Sequence, residues 1–271
     1  MPRHPSAPLL AGAALAAAAA LAAAPGPARP PALDRARLVD LSHGFDGRTL
    51  YWPTAPSGFQ LTTIHRGKVP AGFFYSANSF CAPEHGGTHL DAPVHFAEGR
   101  QAVDEVPLER LVAPAVVIDV TRQAAADADY RLAVNDVLAW ESRHGRIRKG
   151  TIVLLRTGWA ARWPDAKAYL GDDTPGDAGH LHFPSYGAEA ARVLVEERRA
   201  GVLGVDTASI DHGPSKDFPV HQIAAAANVP GLESLADLRA LPEAGAWLMA
   251  LPMKIGGGSG GPVRVVALLS R

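Results

Sequence analysis

The chain has 271 residues, a formal net charge of -1 and 47 % apolar residue types. That length allows a substantial core within one α/β domain, and the near-neutral balance gives no electrostatic footprint for nucleic acid or an anionic membrane. One cysteine, Cys81, rules out an internal disulfide and a Cys-rich zinc site. We read it as a small buried apolar side chain.

Taken in order, the N-terminus stands apart. Arg3 and His4 precede an Ala-rich apolar run over residues 9–24, too short to span a membrane. Ala22-Ala23-Ala24 then offers small residues for cleavage, so residues 1–24 read as a secretory signal peptide. Residues 25–31 form a Pro-rich linker, and residues 32–271 one domain without internal repeats. The expected location is exported, periplasmic or secreted, with no membrane attachment after cleavage.

Apolar, β-branched runs bounded by Gly or Pro predict strands over 115–120, 151–156, 202–206, 246–251 and 263–269. Helices are expected over 136–144, capped by Asn135 and stopped by Gly145, and over 187–199. Two shorter ones are expected over 221–228 and 234–240. Strands alternating with helices imply an α/β fold.

The chemistry concentrates in His85-Gly86-Gly87-Thr88-His89-Leu90-Asp91-Ala92-Pro93-Val94-His95-Phe96. His and Asp are ligand types for a divalent metal. Gly86-Gly87 opposes a helix, and Pro93 pushes Ala92 toward extended backbone. In an extended segment His89, Asp91 and His95 would share one face, with Leu90, Ala92, Val94 and Phe96 on the other.

This string is similar to the H-x-G-T-H-x-D-x-P-x-H-F signature of the cyclase family of metal-dependent hydrolases, of the bacterial kynurenine formamidase and isatin hydrolase type. Phe218-Pro219-Val220-His221 and Gly231-Leu232-Glu233-Ser234-Leu235 resemble the family's distal His and Glu. The resemblance implies a single mixed-sheet domain of swivelling β/β/α type, with helices flanking the sheet. It implies His85, His89 and Asp91 as metal ligands, His221 and Glu233 completing the set, and His95 as the catalytic acid/base. His221 and Glu233 are expected at helix edges facing a cleft. It also implies a homo-oligomer, dimer or tetramer.

The implied activity is hydrolysis of a C–N bond in an amide or cyclic amide, an isatin-like lactam or an N-formyl aryl amide, by metal-activated water. The thiolate-free donor set suits Zn²⁺ or Mn²⁺. Two other readings stay open: a lactone or polyketide-type hydrolase or cyclase, and an exported metal-binding protein without catalysis.

Gly257-Gly258-Ser259-Gly260-Gly261 satisfies G-x-S-x-G, but Pro262 and a strand follow where a nucleophile elbow needs a helix. We read the run as a flexible hairpin connection. Trp52, Phe73, Phe74 and Tyr75 form either an apolar wall for an aromatic substrate or ordinary core. His43, His65, His180, His182 and His212 are weaker candidates for the cleft.

Overall fold

The structure, a computed structural model, describes residues 30–270. The expected signal peptide and all but the last two linker residues lie outside the described residues. No described helix is long and apolar enough to cross a membrane.

Among the described residues twelve strands run in chain order: β1 (Ala36–Asp40), β2 (Gln60–Lys68), β3 (Phe74–Cys81), β4 (His89–Asp91), β5 (Val112–Asp119), β6 (Arg131–Leu132), β7 (Ile152–Arg156), β8 (Ser185–Tyr186), β9 (Val202–Val205), β10 (Gly231–Glu233), β11 (Ala244–Pro252) and β12 (Gly260–Ser270). Eight form one mixed sheet in the order β1-β12-β11-β5-β7-β9-β10-β4. β4 also pairs with β12, so the sheet closes on itself as a barrel-like core with β1 outside the ring. Within this sheet β5, β7, β9 and β10 run parallel and the other pairings are antiparallel. The expected α/β class and mixed sheet are what the fold shows.

The parallel strands are apolar almost throughout because both their faces are covered. Val117 and Leu154 point into the barrel, with Leu41, Leu90, Leu232, Leu248 and Val265. Val116, Ile118, Val153 and Leu155 point outward against Val137, Trp140 and Leu194. Alternation along a strand thus serves two cores. A third cluster, Trp159, Tyr169, Leu170, Leu181 and Phe183, lies beside them.

Helices α1 (Leu108–Leu111), α2 (Thr121–Ala126), α3 (Val134–His144), α4 (Ala166–Leu170), α5 (Ala188–Arg192) and α6 (Pro219–Ala226) complete the fold. All five predicted strands are present. The helices need corrections. Asn135 does not cap α3; it lies within the first turn, and the Asp136 carboxylate accepts the Ala133 N–H at 2.8 Å. The helix predicted over 187–199 stays α-helical only to Arg192, then widens to a π-turn over Val193–Glu197 as Arg198 turns inward to Glu141. α6 starts two residues before His221, with Pro219 at the first position, where its missing N–H costs nothing. Residues 234–240 are not a helix beyond a short 3₁₀ turn, Leu238–Ala240. The N–H groups of Ser234, Leu235 and Ala236 donate instead to Thr207, Val205 and Leu41 across the fold.

β2 and β3 form a separate two-stranded hairpin with Leu61, Ile64, Phe73, Phe74, Tyr75 and Phe80 exposed on it. Cys81, at its end, is exposed rather than buried. Among the described residues the hairpin pairs with no other strand, so its apolar side chains have no covering layer to enter.

Candidate active site

The barrel closes where the site forms. β4 lies between β10 and β12, with His89 opposite Glu233 and Asp91 opposite Gly260. Strand β4 ends at Asp91 and Ala92 is still extended, with φ -78° and ψ 152°, before Pro93–His95 forms a 3₁₀ turn. The predicted alternation therefore holds from His89 to Ala92, and Val94 still packs against the core, but Phe96 does not follow it. Pro93 fixes a φ suited to opening the turn, and that turn, not strand register, carries His95 to the site. Phe96 lines the pocket instead of entering the core, while Leu90 and Ala92 are core as expected.

The five predicted metal ligands converge. His85 Nδ1 lies 2.6 Å from Asp91 Oδ1, and His89 Nε2 lies 3.2 Å from the same atom and 3.5 Å from Glu233 Oε2. His221 Nε2 is 3.1 Å from both Asp91 Oδ2 and Glu233 Oε1. Two triads, His85/His89/Asp91 and Asp91/His221/Glu233, each bring their donor atoms within 4.8 Å of one another and share Asp91. Glu233 stands on strand β10 and not at a helix edge, because Gly231–Glu233 completes the sheet.

Other groups orient these donors. The His89 Nδ1–H donates to the Gly87 carbonyl at 2.9 Å, leaving Nε2 toward the cluster. His221 Nδ1 lies 2.7 Å from Asp211 Oδ2, which also accepts the His221 backbone N–H at 3.0 Å. A carboxylate behind a ligand imidazole fixes its tautomer and raises its basicity. Asp211 carries no sequence signal; only the fold brings it to His221.

Two buried carboxylates in contact with three imidazoles call for positive charge. Burial alone would lower the pKa of His89, but Asp91 and Glu233 outweigh it and raise it to about 9. Burial likewise opposes charge on His221, yet hydrogen bonds to Asp211, Asp91 and Glu233 lift it well above its usual value. Asp91 is held well below the usual carboxylate range: burial would raise it, and the His89 charge and the imidazole hydrogen bonds prevail. In the ion-free protein, protons on the imidazoles supply the charge that a cation would bring. The donor set thus fits a divalent metal.

His95 differs. Its ring stacks on His85 at 3.8 Å between centroids and 16° between planes. Burial, only partly offset by Asp91, lowers its pKa to about 4. It is a neutral imidazole at neutral pH, able to accept a proton.

Above the cluster lies a cavity of about 270 Å³, lined by Leu50, Trp52, Phe96, Tyr169, Leu170 and Phe218 together with the donor residues. Trp52 lies 6.1 Å from Phe218, and Phe96 lies 5.5 Å from Phe218. Of the predicted aromatic wall only Trp52 lines this cavity. Phe73 and Phe74 are 59 % and 63 % exposed on the hairpin. His43 stacks on Trp163 at 4.2 Å, away from the cavity lining, and His65, His180, His182 and His212 do not line it either.

A closed mixed sheet with this His/carboxylate centre defines a protein of the metal-dependent hydrolase type. The chain belongs to the Cyclase family, whose model matches residues 39–212. It is 36 % identical to the isatin hydrolase of Roseibium aggregatum over 208 residues, 74 % of this chain and 77 % of that protein. It is 30 % identical to the kynurenine formamidase of Sphingopyxis alaskensis over 233 residues, 85 % of this chain and 97 % of that one. Its fold is similar to isatin hydrolase A from Labrenzia aggregata bound to benzyl benzoate, with a TM-score of 0.80 and 34 % identity over 88 % of this chain and 95 % of that chain. An isatin hydrolase bound to the product analogue thioisatinate matches with a TM-score of 0.80 and 32 % identity, covering 88 % and 94 %.

The charge balance gives a pH prediction. His89 has a folded pKa raised above 6.5, so its contribution to the stability of the ion-free protein is present below about pH 6.5 and fades as pH rises through about 9. A divalent ion needs neutral imidazoles, so its binding displaces those protons and tightens over the same window. Melting curves across that window, with chelator and with added Zn²⁺, should show a falling Tm without ion and a growing increment with it. A pH-independent increment would refute the assignment.

Proposed function

We propose that this chain is a metal-dependent hydrolase of carbon–nitrogen bonds in small aromatic amides or cyclic amides. The observation that carries the reading is the convergence of His85, His89, Asp91, His221 and Glu233 at the floor of an aromatic-lined cavity. The isatin hydrolase and kynurenine formamidase relatives support the bond type. A divalent cation held by these five residues would supply Lewis acidity, making a water nucleophilic near neutral pH and polarising a carbonyl.

The chain's own residues do the rest. Trp52, Phe96 and Phe218 hold an aromatic ring by apolar and edge contacts. That places the adjoining carbonyl over the donor cluster. An imidazole nitrogen of His95, neutral at working pH, takes a proton from the attacking water and returns it to the departing nitrogen. Its stacking on His85 keeps it within the site while leaving Nδ1 of His85 directed at Asp91.

The N/O donor set, without thiolate, favours Zn²⁺ or Mn²⁺. The exposed apolar hairpin supports a homo-oligomer, because an isolated two-stranded sheet is marginal in water and this one displays large apolar side chains. A second copy of the chain covering it would bury Phe73, Phe74 and Phe80. The N-terminal pattern supports export with cleavage after residue 24. Export favours a lactam or other small aromatic amide over N-formylkynurenine, a substrate of intracellular tryptophan breakdown.

Purified enzyme loaded with Zn²⁺ or Mn²⁺ should hydrolyse isatin or an N-formyl aryl amide faster than simple lactones; a preference for lactones would overturn the bond assignment. His95→Ala should lower kcat by roughly 10²–10⁴-fold while metal content by elemental analysis stays at the wild-type level. Normal turnover would remove His95 from the mechanism. Phe73→Asp with Phe74→Asp should lower the mass in solution measured by light scattering, and an unchanged oligomer would dismiss the hairpin contact. N-terminal sequencing of the exported protein should begin near Pro25, and an intact Met1 on periplasmic material would contradict cleavage.

A further inference from the structure

We infer that Ser259 and Glu84 are positioning residues that lock His85 with Nδ1 toward the metal. The inference rests on the metal-site reading above and adds to it a second role for the glycine-rich hairpin.

His85 is the least enclosed of the five donors. Its side chain is 26 % exposed against 4 % for His89 and 6 % for His221. It sits on the loop before β4, so strand register does not fix its ring, and the His95 ring stacked on it does not choose which nitrogen faces the cluster. Hydrogen bonds do. Nδ1 faces Asp91 at 2.6 Å, and Nε2 lies 2.8 Å from Ser259 Oγ. Ser259 Oγ is in turn 2.6 Å from Glu84 Oε2, which also accepts the Ser259 backbone N–H at 2.9 Å.

The direction of this chain follows from its end. A carboxylate only accepts, so the serine hydroxyl donates to Glu84. The hydroxyl oxygen then accepts from the imidazole, which places the His85 proton on Nε2. Nδ1 is left for the ion. His89 and His221 are oriented the opposite way, with Nδ1 engaged by Gly87 and Asp211 and Nε2 toward the cluster. One site therefore uses both imidazole tautomers, and the Ser259–Glu84 pair selects the minority one.

The hairpin is built for this contact. It is pinned rather than flexible: the Ala92 N–H donates to the Ser259 carbonyl at 2.8 Å, the Val103 N–H to the Gly258 carbonyl at 2.9 Å, and Gly257 N–H to Asp104 at 3.0 Å. A Cβ on Gly260 would stand 2.6 Å from His85 Cε1, and one on Gly258 would stand 2.7 Å from Glu84 Oε1. Glycine at both places lets the backbone close on the two side chains it holds. The G-x-S-x-G string thus presents a serine that orients a ligand and attacks nothing.

The test is Zn²⁺ affinity by chelator competition on wild type, Ser259→Ala, Glu84→Ala and the double variant, with melting curves to confirm folding. Each single change should weaken binding by about 10–100-fold, and the double should lose no more than the worse single, because the two residues act in series. The imidazole ¹⁵N spectrum of Zn²⁺-loaded wild type should show His85 protonated at Nε2. That spectrum and Glu84→Ala decide the matter if Ser259→Ala does not fold. Single variants that bind within about twofold of wild type, losses that multiply in the double, or a His85 protonated at Nδ1 would each overturn the inference. Wild type unable to hold Zn²⁺ would instead overturn the metal-site reading itself.

Discussion

Asp91 and Glu233 lie side by side in the protein interior, and burying two carboxylates together is tolerable only with compensating positive charge. That demand organises what surrounds them. Three imidazoles reach the pair, and each is oriented from behind by a separate acceptor: Gly87, Asp211 or Ser259. The result is a preorganised cluster of side-chain donors that fits a cation, with one backbone carbonyl and two side chains behind the imidazoles.

The same pair explains why the barrel must close. Asp91 belongs to β4, which bonds to β10 on one side and to β12 on the other. Through β10 it meets Glu233; through β12 it meets the glycine hairpin that carries Ser259. Site and fold therefore share one structural event, the insertion of a three-residue strand. Gly86 and Gly87 permit it: a Cβ on Gly86 would stand 2.1 Å from the Tyr51 ring, and Gly87 has a positive φ of 57°. Side chains at either position would push the loop away from the strand it feeds.

The pocket adds selectivity to this centre. Its walls come from the loop before β2, the turn after β4, α4 and the start of α6, so substrate shape is set by segments that the barrel merely supports. Such an arrangement lets related chains keep the metal chemistry while changing the molecule they accept.

By itself the sequence determined the five apolar strands over 115–120, 151–156, 202–206, 246–251 and 263–269, since Val- and Leu-rich runs bounded by Gly or Pro read alike in any context, but neither their order and direction nor the short strand β10 was legible. It also determined the dense His/Asp segment, where chemistry is packed into eleven consecutive residues. Resemblance, not spacing, supplied His221 and Glu233, which lie far along the chain. Only the tertiary structure decided that Glu233 sits on a strand, that His95 arrives by a 3₁₀ turn, that Phe73 and Phe74 leave the pocket, and that Asp211, Glu84 and Ser259 stand behind the ligands. The physical reason is common to all of these. Local pattern encodes backbone preference and burial over a few residues, whereas a hydrogen bond between Ser259 and Glu84, 175 positions apart, exists only once strand pairing has brought the two loops together.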